Sequence, residues 1–204
     1  MSRALIVIDV QESFLQQPIW AASSNPGIAG RVARLVDAAR GRGELVIWVL
    51  HAEPGSGGAF DPVSGQVRLM DGLAAEPGEP VLTKTSHNAF TTTGLQQILV
   101  SRGIQELVIC GIRTEQCCET TARLASDLGF GVIFVTDATA TTPIPHRRFP
   151  RGRSVGEIMA DPRTLHTADI IARTEYALAG RFAAIAAVAD LAPEAGPAVV
   201  AAAS

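Results

Sequence analysis

The chain has few cysteines, no excess of positive charge and no long apolar run, and each shortage argues against a class of function. Three cysteines, with no regular spacing and no Cys-x-x-Cys, form neither a disulfide framework nor a redox motif, and they point to a reducing cytoplasm. A net charge of −3 argues against the basic surface that phosphate binding requires, so no nucleic-acid partner is expected. No apolar stretch reaches the ~20 residues that span a bilayer, and the chain enters "ALIVIDV" without a signal-peptide pattern, so no membrane partner is expected. No internal repeat is visible. What remains is a 204-residue sequence, 47% apolar and 18% charged, with the makings of one well-buried core.

Five short apolar runs read as buried strands: 3–10, 44–50, 80–84, 106–112 and 131–138. They are continuous and rich in Val and Ile rather than alternating, as in a parallel sheet covered on both faces. Helix-period stripes lie between them, one at Val32, Leu35, Val36 and Ala39, another at Leu95, Ile98 and Leu99. Further helices are expected from Thr114 onward and over 164–179. The alternation predicts an α/β fold, one domain over 1–191 with a doubly wound, mainly parallel, Rossmann-like sheet of about six strands and helices on both faces. The alanine-rich segment 181–191 is assigned to an edge strand, with a helix as the alternative, and 192–204 to a flexible tail. Segments 51–79 and 138–163 read as long irregular loops of functional length.

In such sheets ligands bind beyond the carboxyl ends of the strands, where strand order reverses. Asp9 ends the first run, Lys84 the third, and Cys117 follows the fourth just inside a helix start. Singly, each has a plain reading: a capping aspartate, a solvated lysine, a small buried thiol. Together they place an acid, an amine and a thiol at one sheet edge. With Thr114 as N-cap, unpaired backbone N–H groups and the helix dipole would favour a Cys117 thiolate. Asp9 would exchange the thiol proton, and the same N–H groups would hold an oxyanion. Cys118 is rotated by about 100° onto the side of Ala122, Ala125 and Gly129, where it packs, and Cys110 sits inside a strand.

At this point the sequence resembles the isochorismatase-like cysteine hydrolases, a family that includes nicotinamidases, N-carbamoylsarcosine amidohydrolase and ureidoacrylate hydrolases. The likeness is carried by "ALIVIDVQESF" (4–14), "TKTSHNAF" (83–90), "GIRTEQCCETTA" (111–122) and "VTDATATT" (135–142), and in order and spacing it covers about 3–190. It implies Asp9 as general acid/base, Lys84 as support for the charged nucleophile and Cys117 as that nucleophile. It also implies a cis peptide at Ile112–Arg113, with the N–H groups of Arg113 and Cys117 as oxyanion hole. Relatives that cleave the vinyl ether of isochorismate lack this cysteine, so the resemblance favours hydrolysis of a C–N bond in a small amide or ureide. Vinyl-ether hydrolysis and a catalytically silent, oligomer-forming module stay open as alternatives. The family's habit implies a homodimer or homotetramer.

Neither a metal nor another cofactor is expected, because after the second strand only His51 and Glu53 stand close together, too few for a site of three or four ligands. Phe14, Trp20 and Phe90 are candidates to wall an apolar pocket, with core packing as the equal alternative. His87 and His166 have no evident partner. Around His146, Arg147, Arg148, Arg151 and Arg153 form a basic cluster, read as a solvated loop or, more sharply, as a border of the site in which Arg147 or Arg148 pairs with a substrate carboxylate.

Overall fold

The computed structural model describes residues 2–150 and 152–193, so Arg151 of the basic cluster and the expected tail from 194 on lie outside the described residues. Six strands form one parallel sheet: β1 (Arg3–Ile8), β2 (Leu45–His51), β3 (Val81–Lys84), β4 (Glu106–Ile112), β5 (Gly131–Ala140) and β6 (Ala184–Ala186). Their spatial order is β3-β2-β1-β4-β5-β6, so the chain reverses direction of growth between β1 and β4. Those two strands pair in parallel register, with Ile8 beside Gly111.

Side chains alternate across the sheet and build two apolar layers. Ala4, Ile6, Ile8, Leu107 and Ile109 face α2 (Leu95–Ser101), α3 (Glu119–Asp127) and α5 (Thr167–Leu178). Leu5, Val7, Val108, Cys110 and Ile112 face α1 (Ile28–Gly41), whose Ile28, Val32, Leu35, Val36 and Ala39 are all buried. This is the doubly wound α/β arrangement expected from the strand pattern.

Several local readings change. Segment 181–191 supplies both of its proposed structures, a three-residue edge strand β6 followed by a short helix, α6 (Val188–Leu191). Ala192 is packed into the α1-side core, and its carbonyl accepts a hydrogen bond from Arg34. The supposed irregular segment 138–163 contains α4 (Val155–Ala160), started by a capping box in which Ser154 Oγ accepts from the Glu157 N–H and Glu157 accepts from the Ser154 N–H. Gly129 does not belong to the packing strip of α3. It adopts a φ of +90° just past the helix end, with nothing within 4 Å of a built Cβ, so it terminates the helix.

Candidate active site

Gly111 explains how the two strands of the switch point approach. Its φ is +130°, and a Cβ there would lie 1.9 Å from the Ile8 carbonyl oxygen, so any side chain would force β4 away from β1. Directly beyond Ile8, Asp9 takes a φ of +55° while its N–H still donates to the Val49 carbonyl at 2.8 Å. Asp9 is the one non-glycine residue with a left-handed φ among the described residues, a conformation aspartate adopts more readily than most, and it turns the chain at the sheet edge. On the other side of Gly111 the Ile112–Arg113 peptide is cis.

Thr114 does not cap the helix. The cap position is held by Arg113 in extended conformation, Thr114–Cys118 form one π-helical turn, and α3 starts only at Glu119. The Thr114 hydroxyl pairs instead with that of Thr139 at 2.8 Å. An irregularity in β5 delivers Thr139: the register jumps from Ile109–Phe134 to Gly111–Thr139. A buried hydroxyl needs a partner, and this one is drawn inward to Thr139 rather than to its own helix. The Arg113 carbonyl accepts the N–H groups of Gln116 (3.2 Å) and Cys118 (3.1 Å), one on each side of Cys117.

Asp9, Lys84 and Cys117, from the ends of β1 and β3 and the turn after β4, converge. Lys84 is fully buried, and its Nζ lies 2.7 Å from Asp9 Oδ2 and 3.4 Å from Cys117 Sγ. It is also 3.1 Å from the Ser86 carbonyl and 3.2 Å from His51 Nδ1. A lysine ammonium can only donate, so His51 accepts through Nδ1 and carries its proton on Nε2, which points to Glu53 at 3.5 Å. Gln11 holds this corner by bonding both the N–H (2.7 Å) and the carbonyl (3.0 Å) of His51. With an ammonium against one ring nitrogen, His51 is poorly placed to bind a metal ion. Among the described residues no group of three or more His, Cys, Asp or Glu is arranged to hold one.

Burial dominates the electrostatics. Desolvation raises Asp9 to about 6, although Lys84 pulls the other way. Desolvation and the nearby Asp9 charge push the Cys117 thiol up to about 12, against the opposing pull of Lys84. Burial thus works against the thiolate that the helix start would favour, and Asp9 stands ready to take the thiol proton. Cys118 and Cys110 are wholly buried, and desolvation pushes both thiols up, which suits packing.

Asp9 and Cys117 line a cavity of about 320 Å³, while Lys84, fully buried, touches both of them without lining it. Asp9 and Cys117 form its floor, Phe14, His51, Phe60 and Arg113 its walls, and the exposed Glu53, His87 and Gln116 its mouth. Of the expected pocket aromatics only Phe14 lines it. Trp20 sits in a half-buried turn with its ring 5.9 Å from that of Phe14, and Phe90 packs in the helix layer with its ring 6.3 Å from Phe130. Arg147 and Arg148 are exposed on a separate turn, the solvated-loop reading, and do not line the cavity. Phe60 comes from the long segment after β2 and meets Phe14 edge-on at 5.0 Å.

A reactive-group cluster at the switch point of a doubly wound parallel sheet marks an α/β enzyme. Its family follows from comparison: the isochorismatase domain model matches residues 3–149, and the chain belongs to that family of hydrolases. It is 37% identical over 146 residues to a streptothricin hydrolase of Streptomyces noursei, covering 70% of this chain but 51% of that protein. It is 31% identical over 145 residues to the isochorismatase family protein YddQ of Bacillus subtilis, covering 71% of this chain and 81% of the other. Solved structures agree. An isochorismatase-family protein from Chromobacterium violaceum superposes with a TM-score of 0.81 at 26% identity, covering 94% of this chain and 93% of that one. An isochorismatase from Pseudomonas putida gives 0.79 at 32%, covering 93% and 89%. No described helix is long and apolar enough to cross a membrane.

Proposed function

We propose that this hydrolase cleaves a C–N bond of a small amide or ureide through a thioester on Cys117, with Asp9 and Lys84 completing the catalytic group. The supporting observation is the convergence of one buried ammonium on both the carboxylate, at 2.7 Å, and the sulfur, at 3.4 Å, the two groups that line a single cavity.

As the substrate carbonyl arrives, Cys117 Sγ bonds to its carbon and the thiol proton passes to Asp9. The raised proton affinity of Asp9 makes it a better base than an exposed aspartate, and Lys84 stabilises the developing negative charge. The carbonyl oxygen, now an oxyanion, takes the N–H groups of Arg113 and Cys117. Asp9 returns the proton to nitrogen, the C–N bond breaks and the amine or ammonia leaves. Water then attacks the thioester, Asp9 accepts its proton, and the C–S bond breaks with that proton returning to sulfur. The net reaction adds one water across the C–N bond and needs no redox partner.

A panel of small amides, ureides and isochorismate, followed by ammonia release and intact mass, tests this. Cys117→Ala is expected to lose turnover at least about a thousand-fold and to form no covalent adduct, whereas the wild type forms one. Amide turnover that survives Cys117→Ala would rule out the thioester, and activity confined to isochorismate would replace the reading with vinyl-ether hydrolysis.

A further inference from the structure

Arg113 enters the proposed reaction only through its backbone N–H, and its side chain is left without a task. The guanidinium borders the same cavity as Cys117, with Cζ 5.9 Å from the centre of the Phe14 ring. No hydrogen bond or ion pair joins it to any described residue. Of the acids around it, Asp9 is held by Lys84 and Glu53 is exposed and faces His51, while Glu115 attracts it through space without a hydrogen bond. The guanidinium is part-buried at the cavity wall, and a charge partly withdrawn from water gains from an opposite charge beside it. A guanidinium carries five N–H donors in a flat fork that matches the two oxygens of a carboxylate.

We infer that the substrate bears a carboxylate, gripped by the Arg113 side chain, on the same small molecule whose amide or ureide carbonyl meets Cys117; this rests on the cysteine-hydrolase reading above. The cavity of about 320 Å³ holds one small molecule, and the Phe14 and Phe60 rings wall its middle. The arginine that recognises the anion thus sits beside the nucleophile, in "GIRTEQC", and not in the basic loop at Arg147 and Arg148.

Iodoacetate and iodoacetamide test this, because they differ only in carboxylate against carboxamide and both alkylate a reactive thiol. Rates of Cys117 modification, located by peptide mass mapping, are compared in the wild type, Arg113→Gln and Arg113→Lys. The iodoacetate-to-iodoacetamide rate ratio is expected to fall about ten-fold or more in Arg113→Gln and to recover in part in Arg113→Lys. In the wild type, propionate should slow iodoacetamide at concentrations at least about ten-fold below those needed with propionamide, a measurement that needs no variant. An unchanged ratio, or equal protection by the two compounds, overturns the role of Arg113 while leaving the nucleophile in place. A wild-type Cys117 that resists iodoacetamide overturns the cysteine-hydrolase reading, and this inference with it.

Discussion

Glu119 opens α3 and is buried, and its carboxylate is surrounded by donors. Oε1 accepts from Arg123 Nε (3.0 Å) and Nη2 (2.9 Å), and Oε2 accepts from Arg173 Nη1 (2.5 Å) and Thr174 Oγ1 (3.0 Å). Asp9, at the end of β1, is also buried but has Lys84 as its one close cation, and Oδ1 has no hydrogen-bond partner among the described residues. Four donors saturate Glu119, two from Arg123 on its own helix and two from Arg173 and Thr174 that tie α3 to α5, and they leave that carboxylate nothing to exchange. Asp9 keeps a spare oxygen beside a thiol and a proton affinity moved to about 6. A buried carboxylate that is saturated anchors structure; one that is left lean stays available for proton transfer.

The largest expected effect comes from removing the single cation of the lean site. Lys84→Met would leave the Asp9 carboxylate buried without compensation, which costs about 3–5 kcal/mol of folding stability at neutral pH. Urea unfolding measures this, and turnover should vanish as well. Adding Asp9→Asn to Lys84→Met should recover most of the stability and none of the turnover. A Lys84→Met protein as stable as the wild type would abolish the contrast between the two carboxylates.

The next effect is a pH dependence with opposite signs for stability and reactivity. The carboxyl group of Asp9 is raised from 3.8 to about 6, so between those values the folded protein binds its proton more tightly than the unfolded chain does. Stability from this group therefore falls as pH rises from about 4 to about 6, by about 3 kcal/mol, and is level above that. Reactivity of Cys117 should rise through the same window, because Asp9 must be unprotonated to accept the thiol proton. Unfolding free energies and iodoacetamide rates across pH 4 to 8 measure both. Asp9→Asn should remove this stability slope; a slope that persists would assign it to another group.

The lean site was also the more legible of the two. Asp9, Lys84 and Cys117 each follow a strand, and parallel strands deliver their ends to one edge, so a one-dimensional pattern sufficed to bring them together. The cavity walls depend on how the long segment after β2 folds back, and no period in its sequence places Phe60 against Phe14. An aromatic after a strand signals the sheet edge but not the side, which is why Trp20 and Phe90 fell behind the wall and into the helix layer. Burial was the other blind spot. A helix start argues for a thiolate, yet desolvation outweighs it once Cys117 is enclosed. By contrast the "SVGE" start of α4 is a readable capping box hidden in a proline- and arginine-rich segment.

The smallest effect belongs to the saturated site. Arg173 reaches Glu119 from α5, but its side chain is 60% exposed, whereas that of Glu119 is 5% exposed. In Arg173→Ala the carboxylate would keep both N–H groups of Arg123 and the Thr174 hydroxyl, and water could reach the vacated oxygen from the side that Arg173 now covers. The loss should then be that of a surface ion pair, below about 1 kcal/mol, or a fall of no more than about 4 °C in Tm for a chain of this size. Turnover should not change, since Glu119 lies outside the cavity. Calorimetry of Arg173→Ala beside Lys84→Met measures the contrast directly. A cost for Arg173→Ala near that of Lys84→Met would show that Glu119, for all its donors, depends on one cation as strictly as Asp9 does.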